Sequence, residues 1–214
     1  MTASATSPAG GPPSVIFIIR HGEKPADPPP PVPGAPPLAA DPPFGVDING
    51  NQNPHSLLPC GWQRCGALTV LFAPANGTPP AGLAPPSALF SPTYGTPDKT
   101  ALHRTYQTIQ GTAERLRLSI ENPNAEGDER ALIETLIDQR GGVVLICWEH
   151  HHIPTLAAAI PTLPDTVIPP KWPGDRFDVI WRFTLATGES PTRYHFTQIP
   201  QQLLAGDTDT IIPN

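Results

Sequence analysis

Residues 15–25 read VIFIIRHGEKP, in which a run of apolar residues leads directly into Arg20, His21 and Gly22. A short run of β-branched and aromatic residues is typical of a buried strand. Two potential cations side by side are costly to bury without a partner, and their place at the end of this strand indicates an anion pocket. We therefore expect Arg20 and His21 to project into such a pocket, with Gly22 letting the backbone approach the anion closely.

The composition predicts one globular domain. The 214 residues suit one good-sized domain with a substantial core. Proline is abundant, at 32 residues, but ten of these prolines fall between Pro25 and Pro43, which indicates an insertion rather than a wholly low-complexity chain. We predict a disordered tail at residues 1–14 and a single domain at residues 15–214, with a Pro-rich insertion at about residues 25–43.

The net charge and the cysteine content indicate which binding partners and which cellular compartment to expect. The net charge of −6 argues against nucleic acid and anionic membranes as partners. No stretch reaches the length of a membrane span, and the N-terminus lacks the features of a signal peptide. The odd count of three cysteines favours a reducing compartment, so we expect a cytoplasmic protein.

The order of predicted elements indicates an α/β fold. Strands are expected near residues 14–19, 87–90 and 143–148, followed by two late strands that form a hairpin. Helices are expected at residues 60–72, at about 100–116, after Asp128 and from Pro154 to about Ile160. This alternation predicts a three-layer α/β/α arrangement with a mostly parallel central sheet.

Three separate segments deliver cationic side chains to the same edge of this predicted sheet. In open α/β sheets, ligands bind beyond the carboxyl ends of the strands. His150 follows one buried strand, as Arg20 and His21 follow another, and Arg104 lies near the start of a helix that follows the strand SALF. Guanidinium groups bind phosphate oxygens in bidentate fashion, so we expect an anion such as phosphate to bind at this edge.

The motifs around these residues resemble those of the histidine phosphatase superfamily, the phosphoglycerate mutase-like fold. VIFIIRHGEKP is similar to its strand ending in Arg-His-Gly, SPTYGTPDKTALHRTYQT to its segment with the second Arg, and VVLICWEH to its strand before the second His. The resemblance spans residues 15–160. It implies that His21 becomes phosphohistidine, that Arg20, Arg104, His150 and Gly22 bind the phosphoryl group, and that no metal or other cofactor is needed, since arginines supply the positive field.

Alternatives remain for the second catalytic histidine and for the proton donor. The tract WEHHH places three histidines in succession, so His151 is the alternative to His150 as the second catalytic histidine. The leaving group needs a proton donor, for which the resemblance favours Glu129, with Glu126 and Asp128 beside it. Glu149 is a fourth candidate, although strand alternation would aim it away from the face of His150.

The function expected from the resemblance is a metal-independent phosphatase that hydrolyses a small phosphorylated metabolite. A phosphomutase of the same fold and a non-catalytic phospho-ligand binding protein are the alternatives. A metal hydrolase built on the three histidines is a further alternative, but adjacent side chains diverge and suit one metal ion poorly.

Overall fold

The computed structural model describes residues 10–26, 43–97 and 99–214. Within these ranges the chain forms a six-stranded sheet and four helices, which confirms the mixed α/β class. The strands are β1 (Val15–Arg20), β2 (Ala88–Phe90), β3 (Ile120–Glu121), β4 (Val143–Trp148), β5 (Val179–Leu185) and β6 (Tyr194–Pro200). The helices are α1 (Pro59–Phe72), α2 (His103–Leu116), α3 (Glu129–Gln139) and α4 (Ile153–Ala159).

The sheet has the strand order β3-β2-β4-β1-β5-β6. The first four strands in this order are parallel, and β5 and β6 join as the predicted antiparallel hairpin. The register of β1 and β4 pairs Arg20 with Trp148. Because parallel strands end at the same edge of a sheet, His21 and Glu149, the next residues along each chain segment, emerge side by side.

Alternation along β1 divides the core into two parts. Successive side chains of a strand point to opposite faces of the sheet. Ile16 and Ile18 pack in a buried cluster with residues of α3 and α4, whereas Phe17 and Ile19 pack in a second cluster with residues of α1 and α2. The four side chains are fully buried, so this continuous apolar run fits a strand that is covered on both sides.

The structure also bears on the predicted cap of α3, the N-terminal tail, the Pro-rich insertion and the absence of a membrane span. Asp128 directly precedes α3, as predicted, but its carboxylate makes no capping hydrogen bond to the helix. Of the predicted tail, residues 1–9 lie outside the described residues, while Pro13 is buried and its carbonyl accepts a hydrogen bond from the Tyr194 hydroxyl at 2.9 Å. Most of the predicted insertion, residues 27–42, also lies outside them. Among the described residues, none of the helices combines the length and apolar character needed to span a bilayer.

Two glycines bring α1 into direct backbone contact with the segment that follows β1. A Cβ atom on Gly22 would lie 2.9 Å from the carbonyl oxygen of Gly61, and one on Gly61 would lie 2.5 Å from the carbonyl oxygen of Glu23. That same Glu23 carbonyl accepts a hydrogen bond from the amide of Leu58 at 2.9 Å. The position of His21 therefore depends on a contact that only glycine permits.

We expect Gly61→Ala to destabilise the protein by about 1–3 kcal/mol, because the new methyl group overlaps the backbone of Glu23 and the packed segment has to move. Urea denaturation followed by circular dichroism measures the change in the free energy of unfolding.

Gly66→Ala is the matched control, since Gly66 lies in the same helix and a Cβ atom there would have nothing within 4 Å. Alanine is the better helix former, so this variant should be as stable as the wild type or more stable by up to about 1 kcal/mol. Equal changes in the free energy of unfolding of the two variants would show that the close contact between Gly61 and Glu23 does not require glycine.

Candidate active site

A cavity of about 200 Å³ lies at the edge of the sheet where β1 and β4 end. Three of the predicted site residues line it, namely His21, Arg104 and His150. The cavity wall also contains Lys24, Glu149 and His151. The structure thus brings together residues that lie about 130 positions apart in the sequence, as the strand-end argument predicts.

The ring of His21 is held in a defined tautomer. Its Nδ1 lies 2.7 Å from the carbonyl oxygen of Gly22. A carbonyl only accepts hydrogen bonds, so Nδ1 carries the proton and a neutral ring has its lone pair on Nε2. Burial and the positive charges of Arg20 and Arg104 together lower the pKa of His21 to about 3, against the opposing effects of the Gly22 carbonyl and Glu149. The ring is therefore neutral and nucleophilic at physiological pH.

Arg104 lines the cavity from the start of α2. Its Nη2 donates to the carbonyl of Pro54 at 2.6 Å, and its Nε donates to the carbonyl of Ser56 at 3.3 Å. The backbone of the segment that precedes α1 thereby fixes the plane of the guanidinium. A guanidinium held in this way can bind phosphoryl oxygens without losing much side-chain entropy.

Arg20 has a different place from the one the sequence suggests. Its side chain is fully buried, and Nη1 donates to the carbonyls of Gly174 at 2.7 Å and Arg176 at 3.1 Å. The guanidinium carbon lies 3.9 Å from the ring centre of Phe177. Arg20 is not among the residues that line the cavity. Its positive charge affects the site by lowering the pKa of His21. No pattern in the sequence indicated the contacts with residues 174–177.

Gly22 likewise faces its own protein rather than the cavity. Its amide donates to the Thr108 hydroxyl at 2.9 Å, and that hydroxyl donates to the carbonyl of Arg104 at 2.7 Å. Thr108 therefore connects the end of β1 to the first turns of α2. The predicted contact between the Gly22 backbone and an anion stays a prediction.

His150 and Glu149 form a close pair in the wall of the cavity. Nδ1 of His150 contacts a carboxylate oxygen of Glu149, and the second carboxylate oxygen accepts the amide of His151 at 2.6 Å. Burial alone would raise the pKa of Glu149, but these hydrogen bonds lower it to about 2. Glu149 is therefore an ionised carboxylate at neutral pH. Since His150 is buried and His151 is exposed, His150 suits the predicted role better.

The predicted proton donor Glu129 is buried below this wall. One oxygen of its carboxylate accepts hydrogen bonds from Trp148 Nε1 at 3.1 Å and from the amide of Gly127 at 2.9 Å, and it also lies 2.9 Å from Nδ1 of His152. Glu129 is not among the residues that line the cavity. Its role as the acid stays a prediction.

Two further acidic residues precede α3. The half-buried Glu126 has a raised pKa, because desolvation and the nearby carboxylates of Glu149 and Glu129 outweigh the opposing effect of His152. Its Oε1 is buried without a hydrogen-bond partner among the described residues. Asp128 is exposed and accepts a hydrogen bond from the amide of Ala125 at 3.4 Å.

Strand alternation predicted that Glu149, the fourth candidate for the acid, would point away from the face of His150, but β4 ends at Trp148. The chain turns immediately afterwards, so Glu149 and His150 line the same cavity. The sequence signal that could have found this is the tract EHHHIP, because Pro154 marks the first turn of a helix and places a turn directly after the strand.

Metal-ligand atoms also converge in the cavity. Donor atoms of His21, Glu149 and His150 all lie within 4.8 Å of one another. This set draws one residue from the end of β1 and two from the end of β4. Within the described ranges, the three consecutive histidines do not form such a group by themselves.

Comparisons with protein-family models, with curated proteins and with solved structures found no match to the chain. The resemblance to histidine phosphatases therefore rests on the motif residues of the sequence alone.

Inorganic phosphate should bind in this cavity, and Arg104→Gln should weaken that binding by about 10- to 100-fold, because a hydrogen bond to a charged group contributes about 1.5–3 kcal/mol. Isothermal titration calorimetry measures the dissociation constant. Arg104→Lys keeps the charge but not the planar fork of donors, so its affinity for phosphate should lie between those of the wild type and Arg104→Gln.

The control is Arg130→Gln, which changes an exposed arginine on α3. It should bind phosphate as the wild type does. Equal loss of affinity in both variants would assign the effect to net charge rather than to the cavity.

Proposed function

We propose that the protein is a metal-independent phosphatase that hydrolyses a small phosphorylated metabolite through a phosphohistidine on His21. The observation that carries this proposal is the hydrogen bond from Nδ1 of His21 to the Gly22 carbonyl, which leaves Nε2 as the nucleophilic atom. Arg104 and His150 line the same cavity and can bind phosphoryl oxygens.

The reaction then proceeds in two steps. In the first, the Nε2 lone pair of His21 forms a bond to phosphorus, the P–O bond to the leaving group breaks, and the leaving oxygen takes a proton from an acid. In the second, a water molecule attacks phosphorus, the P–N bond breaks, and His21 returns to its neutral form while the acid recovers its proton from the water. A covalent intermediate divides one difficult transfer into two easier ones.

The positive groups of the cavity stabilise charge in both steps. Arg104 and Lys24 line the cavity in which the phosphoryl group would bind, and preorganised charges of this kind stabilise the transition state without reorganisation. Arg20 supports the neutral, nucleophilic form of His21 from behind the cavity. These arginines supply the positive field that a metal ion supplies in other phosphatases.

The parallel arrangement of β1, β2 and β4 supports the finer fold assignment as part of this proposal. Helices α1 and α2 pack with one core cluster and α3 and α4 with the other. We assign the chain a three-layer α/β/α architecture of the phosphoglycerate mutase-like type, and a cytoplasmic location consistent with its three free cysteines.

His21→Ala should reduce the turnover of p-nitrophenyl phosphate by at least about 10³-fold, because the nucleophile is lost. His21→Asn should be equally inactive and still bind phosphate. Rapid quenching with a radiolabelled substrate should trap a phosphoenzyme that is labile in acid and stable in alkali in the wild type.

His195→Asn, an exposed histidine on β6, serves as the control and should retain wild-type turnover. Substantial activity of His21→Ala would refute the phosphohistidine mechanism. Transfer of the label to a second alcohol rather than to water would identify a phosphomutase, and phosphate binding without turnover of any substrate would identify a binding protein.

The proton donor can be found by comparing alkyl with aryl phosphates. An alkyl leaving group needs an acid, whereas p-nitrophenolate leaves unaided. We expect Glu126→Gln to lower alkyl turnover by about 10²-fold with little effect on aryl turnover. Glu126 does not line the cavity, but its Oε1 is buried without a hydrogen-bond partner among the described residues, and its raised pKa lets it hold a proton to higher pH than an ordinary glutamate.

Glu129→Gln is the direct comparison, since the resemblance assigns the acid to Glu129. If this variant alone lost turnover of alkyl phosphates but kept turnover of aryl phosphates, Glu129 would be the acid. Asp128→Asn, which changes an exposed side chain, should leave the ratio of alkyl to aryl turnover unchanged.

A further inference from the structure

The donor set in the cavity has the composition of a transition-metal site. His21, Glu149 and His150 supply two imidazoles and one carboxylate, with their donor atoms within 4.8 Å of one another. Donor atoms that share one zinc ion lie about 3.3 Å apart, since each bond is about 2.05 Å long in a tetrahedral site. Small side-chain rotations would therefore bring the three donors to a common ion.

The surroundings of two of these donors, His21 and Glu149, match those of metal ligands. A metal-ligating histidine almost always donates its other ring N–H to a carbonyl or carboxylate, and Nδ1 of His21 donates to the Gly22 carbonyl. Glu149 is oriented by the amide of His151. Such outer contacts fix the direction of a ligand before the metal arrives.

Charge determines which cation suits the site. One carboxylate and two imidazoles favour Zn²⁺ over Mg²⁺ or Ca²⁺, which prefer oxygen ligands. Lys24 and Arg104 also line the cavity and repel a cation. They would instead favour an anion, such as phosphate or hydroxide, in the fourth position on the zinc ion.

We propose that Zn²⁺ binds to His21, Glu149 and His150 and inhibits the enzyme. The inhibitory part rests on the proposed function, because the Nε2 lone pair of His21 that bonds to zinc is the one that attacks phosphorus. The metal site itself rests only on the geometry of the three donors. The same cavity is then active without metal and blocked with zinc.

The test is a calorimetric titration of ZnCl₂ into the full chain without an affinity tag. Cys60→Ser is the background, because Cys60 is a partly exposed thiol that could bind zinc elsewhere. We expect one zinc ion per chain. His21→Asn and Glu149→Gln should each weaken binding by at least about 10-fold, the lower end of the losses seen even for outer contacts.

Two control variants locate the site. His195→Asn alters an exposed histidine on β6 and His152→Asn alters the half-buried partner of Glu129, and both should bind zinc as the parent does. Co²⁺ in place of Zn²⁺ should give visible absorption bands of a tetrahedral site, and His21→Asn should abolish them. Failure of the parent to bind zinc, or undiminished binding in both His21→Asn and Glu149→Gln, would overturn the proposal.

Turnover of p-nitrophenyl phosphate tests whether the bound zinc ion inhibits the enzyme, which the binding measurements do not show. Zinc at saturating concentration should reduce turnover by at least about 10-fold, and EDTA should restore it. Activation by zinc would overturn the inhibitory role and the metal-independent mechanism together. One zinc ion bound through His21 and Glu149 in a protein that hydrolyses no phosphate ester would overturn the proposed phosphatase alone.

Discussion

The buried guanidinium of Arg64 joins the segment that follows β1 to helix α1 and to the C-terminal segment. Its Nη2 lies 2.6 Å from carboxylate oxygens of both Glu23 and Asp207, and its Nη1 donates to Gln201 at 2.9 Å. An ion removed from water costs several kcal/mol unless such partners compensate it. Because Glu23 lies two residues after His21, this network fixes the segment after β1 against both α1 and the C-terminal segment. The geometry of the nucleophile is thus set by residues far from it in sequence.

Thr108 extends this frame from β1 to α2. Its hydroxyl accepts the amide of Gly22 and donates to the carbonyl of Arg104, while the missing Cβ atoms of Gly22 and Gly61 let α1 approach from the other side. A side chain can act in catalysis only if neighbouring groups hold it within a fraction of an ångström of the productive position. Here backbone contacts and buried hydrogen bonds, rather than further residues in the cavity, perform that task.

Local patterns predicted the elements, and the strand-end rule predicted which of them meet. The apolar runs of β1 and β4 and the helical spacing in α1 and α2 are long enough for periodicity to be read, whereas β3 has two residues and shows no period. Sequence reasoning placed Arg20 in the cavity, because it could not show that the carbonyls of Gly174 and Arg176 would bind it. Strand alternation, extended one residue beyond Trp148, predicted that Glu149 would point away from the face of His150. Both differences come from tertiary contacts and chain turns that no local pattern encodes.

Glu149 gives the cavity a mixed charge, which has a consequence for the proposed phosphatase. Its carboxylate is ionised at neutral pH, and it lies in the same wall as the groups expected to hold a phosphate dianion. Repulsion between like charges at this range offsets part of the attraction from Arg104 and Lys24. An enzyme gains nothing from holding its product as tightly as its transition state, so a carboxylate here lowers the affinity for inorganic phosphate and favours its release. Glu149, which supplies the carboxylate of the proposed zinc site, would therefore also weaken the binding of phosphate in the proposed phosphatase.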